Sequence, residues 1–247
     1  MSAARSGAPA RLVEWVLTCE HASAAVPRAY AGLGVARPAR LDHIGWDIGA
    51  RGVQREIARR LGIAAVASRW SRLLIDCNRD HHDPSLIVQV SDGVVVPGNG
   101  KVSAAERARR IALYHAPYHA AVERTLTRVK RRNPDAAVQI LALHSFTPAM
   151  GGVARPFDIG VLFDAYPELA KRLGRALEGL GHRVRYNEPY SGMAGLIYSA
   201  RRHGDAHDVA YVELEINNAL LRTATGIARL GRDVARALAE LTRPCKR

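Results

Sequence analysis

The sequence predicts an α/β fold of three layers, a mixed and mostly parallel sheet with helices on both faces. Three observations predict it. Short apolar runs alternate with amphipathic stretches of helical period along the 247 residues. The runs are almost continuously apolar, as strands covered on both faces are. Where the runs end stand polar side chains able to do chemistry, and open α/β sheets bind ligands outside the carboxyl ends of their strands. With no repeat or linker and 48% hydrophobic residues, the chain reads as one domain over residues 1–247, residues 1–11 being a flexible N-terminus.

The elements follow in order. Leu12 to Thr18 is the first strand, ending at Cys19-Glu20-His21. Asp47 to Gly62 has helical periodicity, an acidic start and a glycine end. Ile63 to Ser68 is a short strand, and Leu73 to Ile75 is a second candidate. Residues 80–102 are rich in Asp, Gly and Pro and read as a loop excursion. Ser103-Ala-Ala-Glu106 is a capping box that opens a long helix to about Arg132, with Pro117 interrupting it. Ala137 to His144 is a strand, Asp158 to Phe163 another, and Tyr166 to Leu180 a helix. Residues 187–195 form a glycine-containing loop, Val209 to Asn218 a carboxylate-bearing strand, and Thr223 to Leu241 a closing amphipathic helix.

Composition narrows the function. No stretch has the apolar length of a signal peptide or a membrane span, so a cytoplasmic protein is expected. Cys19, Cys77 and Cys245 are odd in number and lack CxxC spacing, which argues against a disulfide framework. The net charge of +13 raises nucleic-acid binding, but only four of the 36 basic residues are lysines and no basic stripe is interleaved with aromatics. No nucleic-acid partner is expected. A basic surface still draws anionic small molecules toward a cleft.

His21 and His144 carry the chemistry. Each follows an apolar run, so both stand at strand ends where they can meet, although either could be an ordinary satisfied histidine. Catalytic zinc sites use three protein ligands and keep one position open. The third ligand is Asp47 or Glu20, and the alternative for Asp47 is a plain first-turn acid. Glu213 and Glu215, two apart, share one face of a strand, where a carboxylate acts as general base or pairs with an arginine. Arg72, Asn78 and Arg79 offer donors for a substrate carboxylate or ion pairs to Asp76. Tyr190 and Ser191 lie in a loop able to fold over a ligand. His115 and His119 share a helix face but lack the glutamate of HExxH, and His81-His82 sits in a polar loop; neither pair is expected to be the primary metal site. A Walker loop, a dinucleotide fingerprint and a nucleophile elbow are absent.

Taken together, these motifs resemble the N-formylglutamate amidohydrolase family. The matching stretches are Cys19 to Ser23, His43-Ile-Gly-Trp-Asp47, Ser68-Arg69, Arg72 to Arg79, Pro117-Tyr-His119, His144 to Pro148, Asn187 to Gly192 and Glu213 to Asn218. They run in order over about residues 15–240. The resemblance implies kinship with zinc carboxypeptidases and aspartoacylases, and so a zinc-carboxypeptidase-like fold. It implies zinc-dependent hydrolysis of an anionic N-acyl amino acid, N-formyl-L-glutamate or a similar one. One Zn2+ per chain is then held by His21, Asp47 and His144. The carboxypeptidase HxxE is missing, since Ala24 stands three residues after His21. Glu215 is the implied catalytic glutamate, with Arg72, Asn78, Arg79, Tyr190 and Ser191 binding substrate. A zinc peptidase acting on another amide, and a basic nucleic-acid-binding protein, are the alternatives.

Overall fold

The computed structural model describes residues 12–242. The flexible N-terminus expected at residues 1–11, and Cys245, lie outside them.

Val13–Cys19 (β1), Ala64–Ala67 (β2), Ala137–Phe146 (β3), Ile159–Leu162 (β4), Val184–Tyr186 (β5) and Ala210–Asn217 (β6) pair into one sheet. Its order is β2-β1-β3-β6-β4-β5. The first four strands of that order are parallel, whereas β4 runs antiparallel to β6 with β5 parallel beside it. The sheet is therefore mixed and mostly parallel, as expected. Gly160 in β4 pairs with Glu215, and a Cβ there would collide with the Glu188 carbonyl, so only glycine lets that loop pass so close.

The helices are Ala50–Leu61 (α1), Ala104–Arg110 (α2), Ala116–Arg132 (α3), Pro167–Glu178 (α4), Tyr198–His207 (α5) and Ala224–Thr242 (α6). Strand periodicity divides the core. Leu141 and Leu143 of β3 and Val212, Leu214 and Ile216 of β6 pack with α1, α4 and α6. Ile140 and Ala142 of β3 and Tyr211 of β6 face Tyr118, Val122 and Leu126 of α3 and Ala200 of α5. Continuing that second alternation by two residues brings His144 on β3, and Glu213 and Glu215 on β6, to the carboxyl end of the face under α3 and α5. A third cluster, including Leu33, Leu73, Leu74, Leu86 and Val96, sits beneath the long excursion.

Five elements depart from expectation. Leu73 to Ile75 is a turn, because the Leu73 and Leu74 carbonyls are taken by the Asn99 amide and the Arg110 guanidinium instead of a strand. Asp47 precedes its helix, which starts at Ala50 after Gly49, so it is not a first-turn acid. The helix expected over Ser103 to Arg132 widens into a π turn at Ile111–His115. There the Ala116 N–H reaches the Ile111 carbonyl, and Pro117 has no N–H with which to restore the tighter pattern. Strand β5 and helix α5 escape sequence reading, the one for its three residues, the other because it buries His203, Gly204 and small residues rather than an apolar stripe. No helix among the described residues is long and apolar enough to cross a membrane.

Candidate metal centre and active site

Just past β1 the chain turns at Glu20 and His21, so neighbours that a strand would send to opposite faces are both buried. The Asp47 N–H donates to the His21 carbonyl at 2.9 Å, which fixes Asp47 beside that turn. His144 lies in register with Glu215 on the adjoining strand. These placements bring His21, Asp47 and His144 together, with one ligand atom from each within 4.8 Å of the others.

The two imidazoles are held alike. Asp47 Oδ2 lies 2.8 Å from His144 Nδ1 and 3.4 Å from His21 Nδ1. On the far side, His21 Nε2 meets Asp76 Oδ1 at 2.6 Å and His144 Nε2 meets Glu20 Oε2 at 2.9 Å. A carboxylate only accepts, so each Nε2 carries the proton it donates. Both Nδ1 atoms then turn toward Asp47, and His21 Nδ1 has no hydrogen-bond partner. A proton on His144 Nδ1 or a bound metal cation balances the Asp47 carboxylate here. Ligating histidines whose other nitrogen donates to a carboxylate are the usual way a protein holds a divalent metal, so the donor set fits one. Glu20, the alternative ligand, sits instead on the distal nitrogen of His144, with its other oxygen accepting from the Tyr118 hydroxyl.

Five buried carboxylates, Glu20, Asp47, Asp76, Glu213 and Glu215, surround these two imidazoles. Burial alone would raise Glu20, but the His144 hydrogen bond and charge and the Tyr118 hydroxyl bring it down to about 2. Asp47 is likewise pushed up by burial and pulled well down by His21 and His144. Burial disfavours charged His144, yet Glu213, Asp47 and Glu20 outweigh it and hold its pKa well above the ordinary value. Glu213 moves the other way, to about 7, through burial and the neighbouring carboxylates. Burial also raises Glu215 well above the ordinary carboxyl range; its Oε2 and that of Glu213 have no hydrogen-bond partner. Carboxyls perturbed in this way beside a cavity mark functional sites.

A cavity of about 190 Å³ opens here, lined by His21, Asp47, His144, Glu213 and Glu215 together with Arg72, Asn78, Arg79 and Tyr190. Arg72 pairs with Asp76 at 3.2 Å and Asp47 at 3.6 Å. The Asn78 amide is engaged by the Leu196 carbonyl and the Ser199 N–H. Arg79 donates to Ser85 and to the Asn78 carbonyl. Ser191 does not reach the lining; it leads into the short turn Gly192–Ala194. Sequence reading missed His43 and Asp92, which meet at 2.9 Å in the lining, and Arg155, stacked over Tyr190 at 5.3 Å. Of these only His43 carried a signal, its place in the stretch ending at Asp47.

A mostly parallel sheet whose carboxyl edge buries a histidine–carboxylate nest beside an acidic and basic cavity defines an α/β enzyme of the hydrolytic kind. The chain belongs to the N-formylglutamate amidohydrolase family, whose sequence pattern matches residues 13–222. Hydrolysis of an amide bond is thereby its class of reaction. A gene product of Agrobacterium tumefaciens has a similar structure, with 32% identity, a TM-score of 0.85 and coverage of 93% of this chain and 92% of that one. An N-formylglutamate amidohydrolase from Ralstonia eutropha shares the fold at 23% identity, a TM-score of 0.72 and coverage of 95% and 94%. A search of curated proteins returned no match.

Proposed function

We propose that the protein is a zinc-dependent amidohydrolase that cleaves an anionic N-acyl amino acid, N-formyl-L-glutamate foremost, to a carboxylate and the free amino acid. The observation that carries this reading is the pair of buried imidazoles turning their Nδ1 atoms to one Asp47 oxygen while Asp76 and Glu20 hold their far nitrogens. His21, Asp47 and His144 are the metal ligands. A divalent cation bound there supplies Lewis acidity toward the acyl oxygen and toward a water.

The chain's own groups do the rest. Glu215, buried and unpartnered in the cavity lining, takes the proton of the attacking water and returns it to the departing nitrogen. Arg79, one of the residues lining the cavity, binds the substrate carboxylate, and Arg72 adds positive charge between Asp47 and Asp76. Asn78 shapes this wall through its bonds to Leu196 and Ser199, and Tyr190 closes it on another side. The test is metal content and formate release from N-formyl-L-glutamate in the wild type and in His144→Ala, beside a panel of other N-acyl amino acids and peptides. Metal-dependent formate release that His144→Ala abolishes is expected. Full activity in that variant or without metal overturns the mechanism, and release only from peptides moves the substrate.

A further inference from the structure

Behind the wall that carries Arg79 lies a second set of histidines, unused by the chemistry above. His81 Nε2 is 2.9 Å from His115 Nδ1, and His115 Nε2 is 3.2 Å from His119 Nε2. His119 Nδ1 is in turn 2.9 Å from His203 Nε2. The rings come from a loop, the π turn, α3 and α5, and His115, His119 and His203 are buried. Each inner ring uses one nitrogen toward each neighbour, so the nitrogens run end to end. That is a file, and no three of them converge as a metal cage needs.

The direction of the file follows from its acceptors. His115 Nε2 also lies 3.1 Å from the Arg79 carbonyl, which can only accept, so the proton of His115 is on Nε2. His115 Nδ1 then accepts from His81 Nε2–H, and His119 accepts at Nε2. His119 therefore donates from Nδ1 to His203 Nε2, leaving His203 Nδ1–H without a hydrogen-bond partner, 3.8 Å from Glu123 Oε2. Four neutral rings satisfy this order, with the His115 Nε2–H shared between the Arg79 carbonyl and His119 Nε2, and the Arg79 carbonyl, which can only accept, sets the polarity. The same segment is clamped again by Arg107, which donates to the carbonyls of His81 and Asp83 at 2.7 and 2.9 Å.

We propose that His115 is a positioning residue for Arg79, acting through the neutral file His81–His115–His119–His203 to pin the backbone that carries the substrate-binding guanidinium. The π turn belongs to this device, since the widened backbone ends on His115 itself. Burial is the main force keeping the rings uncharged, bringing His115 and His203 down to about 4. Arg202 on α5 and Arg107 on α2 add to it, as His82 does at the loop end. Asp76, Asp80, Glu20 and Glu123 act against it from the loop, the β1 end and α3, and His207 flanks the far end beside Glu123.

The inference rests on Arg79 as the carboxylate ligand, so its test has one arm that needs no turnover. In the metal-loaded protein, nitrogen-15 NMR of the histidines near neutral pH is expected to show His115 neutral with its proton on Nε2. Hydrogen exchange at residues 79–82 is expected to quicken in His115→Leu. For N-formyl-L-glutamate, His115→Leu should raise KM about tenfold, the worth of one hydrogen bond, with kcat little changed. His115→Gln, which keeps an N–H donor but cannot titrate, should restore KM and flatten any rise of KM below about pH 5. A charged His115, a proton on Nδ1, unchanged exchange in His115→Leu, or a fall in kcat at constant KM overturns the proposal. If no N-acyl amino acid is hydrolysed by the wild type, the functional reading fails, and the NMR and exchange arms still decide the positioning role. Should His115→Leu not fold, His115→Gln and the wild-type spectra decide it.

Discussion

The protein buries histidines in two places, and their surroundings push them in opposite directions. Around His21 and His144 five carboxylates crowd in, so His144 is driven to bind a proton or a metal. Along His115, His119 and His203 other imidazoles and arginines join burial in keeping the rings neutral, outweighing Asp76, Glu20 and Glu123. A histidine's role is thus decided less by being buried than by what accepts from its second nitrogen. A carboxylate there leaves a lone pair free for a cation, whereas another imidazole passes the hydrogen bond onward.

The sharpest way to break the comparison lies in the carboxylate nest. Glu215→Gln keeps the shape of the lining and removes the proton acceptor, so kcat should fall about 10²–10⁴-fold. Metal content should stay at the wild-type level, because Glu215 is not among the three proposed ligands. Steady-state kinetics with elemental analysis checks both, and loss of metal in this variant would move Glu215 into the ligand set. A smaller effect is expected at Glu20, which meets His144 at its distal nitrogen and accepts from the Tyr118 hydroxyl with its other oxygen. Glu20→Gln should weaken metal affinity about 10–100-fold, as loss of such supporting carboxylates does. Competition with a chelating dye reads it, and an unchanged affinity would show that Glu20 does not hold the ring. Glu215→Gln should leave the file unaltered, whereas Glu20→Gln removes a charge that opposes the neutrality of His119 and His203.

How much of this was legible in the sequence follows from the same contrast. The apolar runs of β1, β3 and β6 announce buried strands, and strict alternation places Glu213 and Glu215 on one face. His21 and His144 stand out because each ends such a run. The holders Asp76 and Glu20 do not, since they meet His21 and His144 across 55 and 124 residues, and no local period records that. The file is hidden for a similar reason. Only its His115–His119 link has a helical spacing, while His81 and His203 arrive from a loop and from a helix without an apolar stripe. Leu73 to Ile75 shows the converse error, where an apolar run reads as a strand although side chains take its carbonyls.

The smallest expected effect concerns stability, and here the file gives a definite sign. His115 and His203 are shifted from 6.5 to about 4, and His119 to about 2, chiefly by burial. The unfolded chain therefore takes up protons first as the pH drops through about 6.5, while the folded chain does not. Stability from these groups is fully present above that pH and is lost on acidification toward the folded values, by up to about 1.4 kcal/mol per pH unit for each ring. His119→Leu removes one such ring and conserves the apolar contact with its neighbours. Its stability at neutral pH should be lower, because His203 Nε2 loses its partner. The slope between about pH 6 and 5 should nevertheless be shallower than that of the wild type by close to one proton. Denaturant melts across that range, with the metal saturated so that the carboxylate nest contributes equally to both proteins, read the difference. Parallel slopes would mean that His119 is charged in the folded chain, and the neutral file would then be broken at its centre.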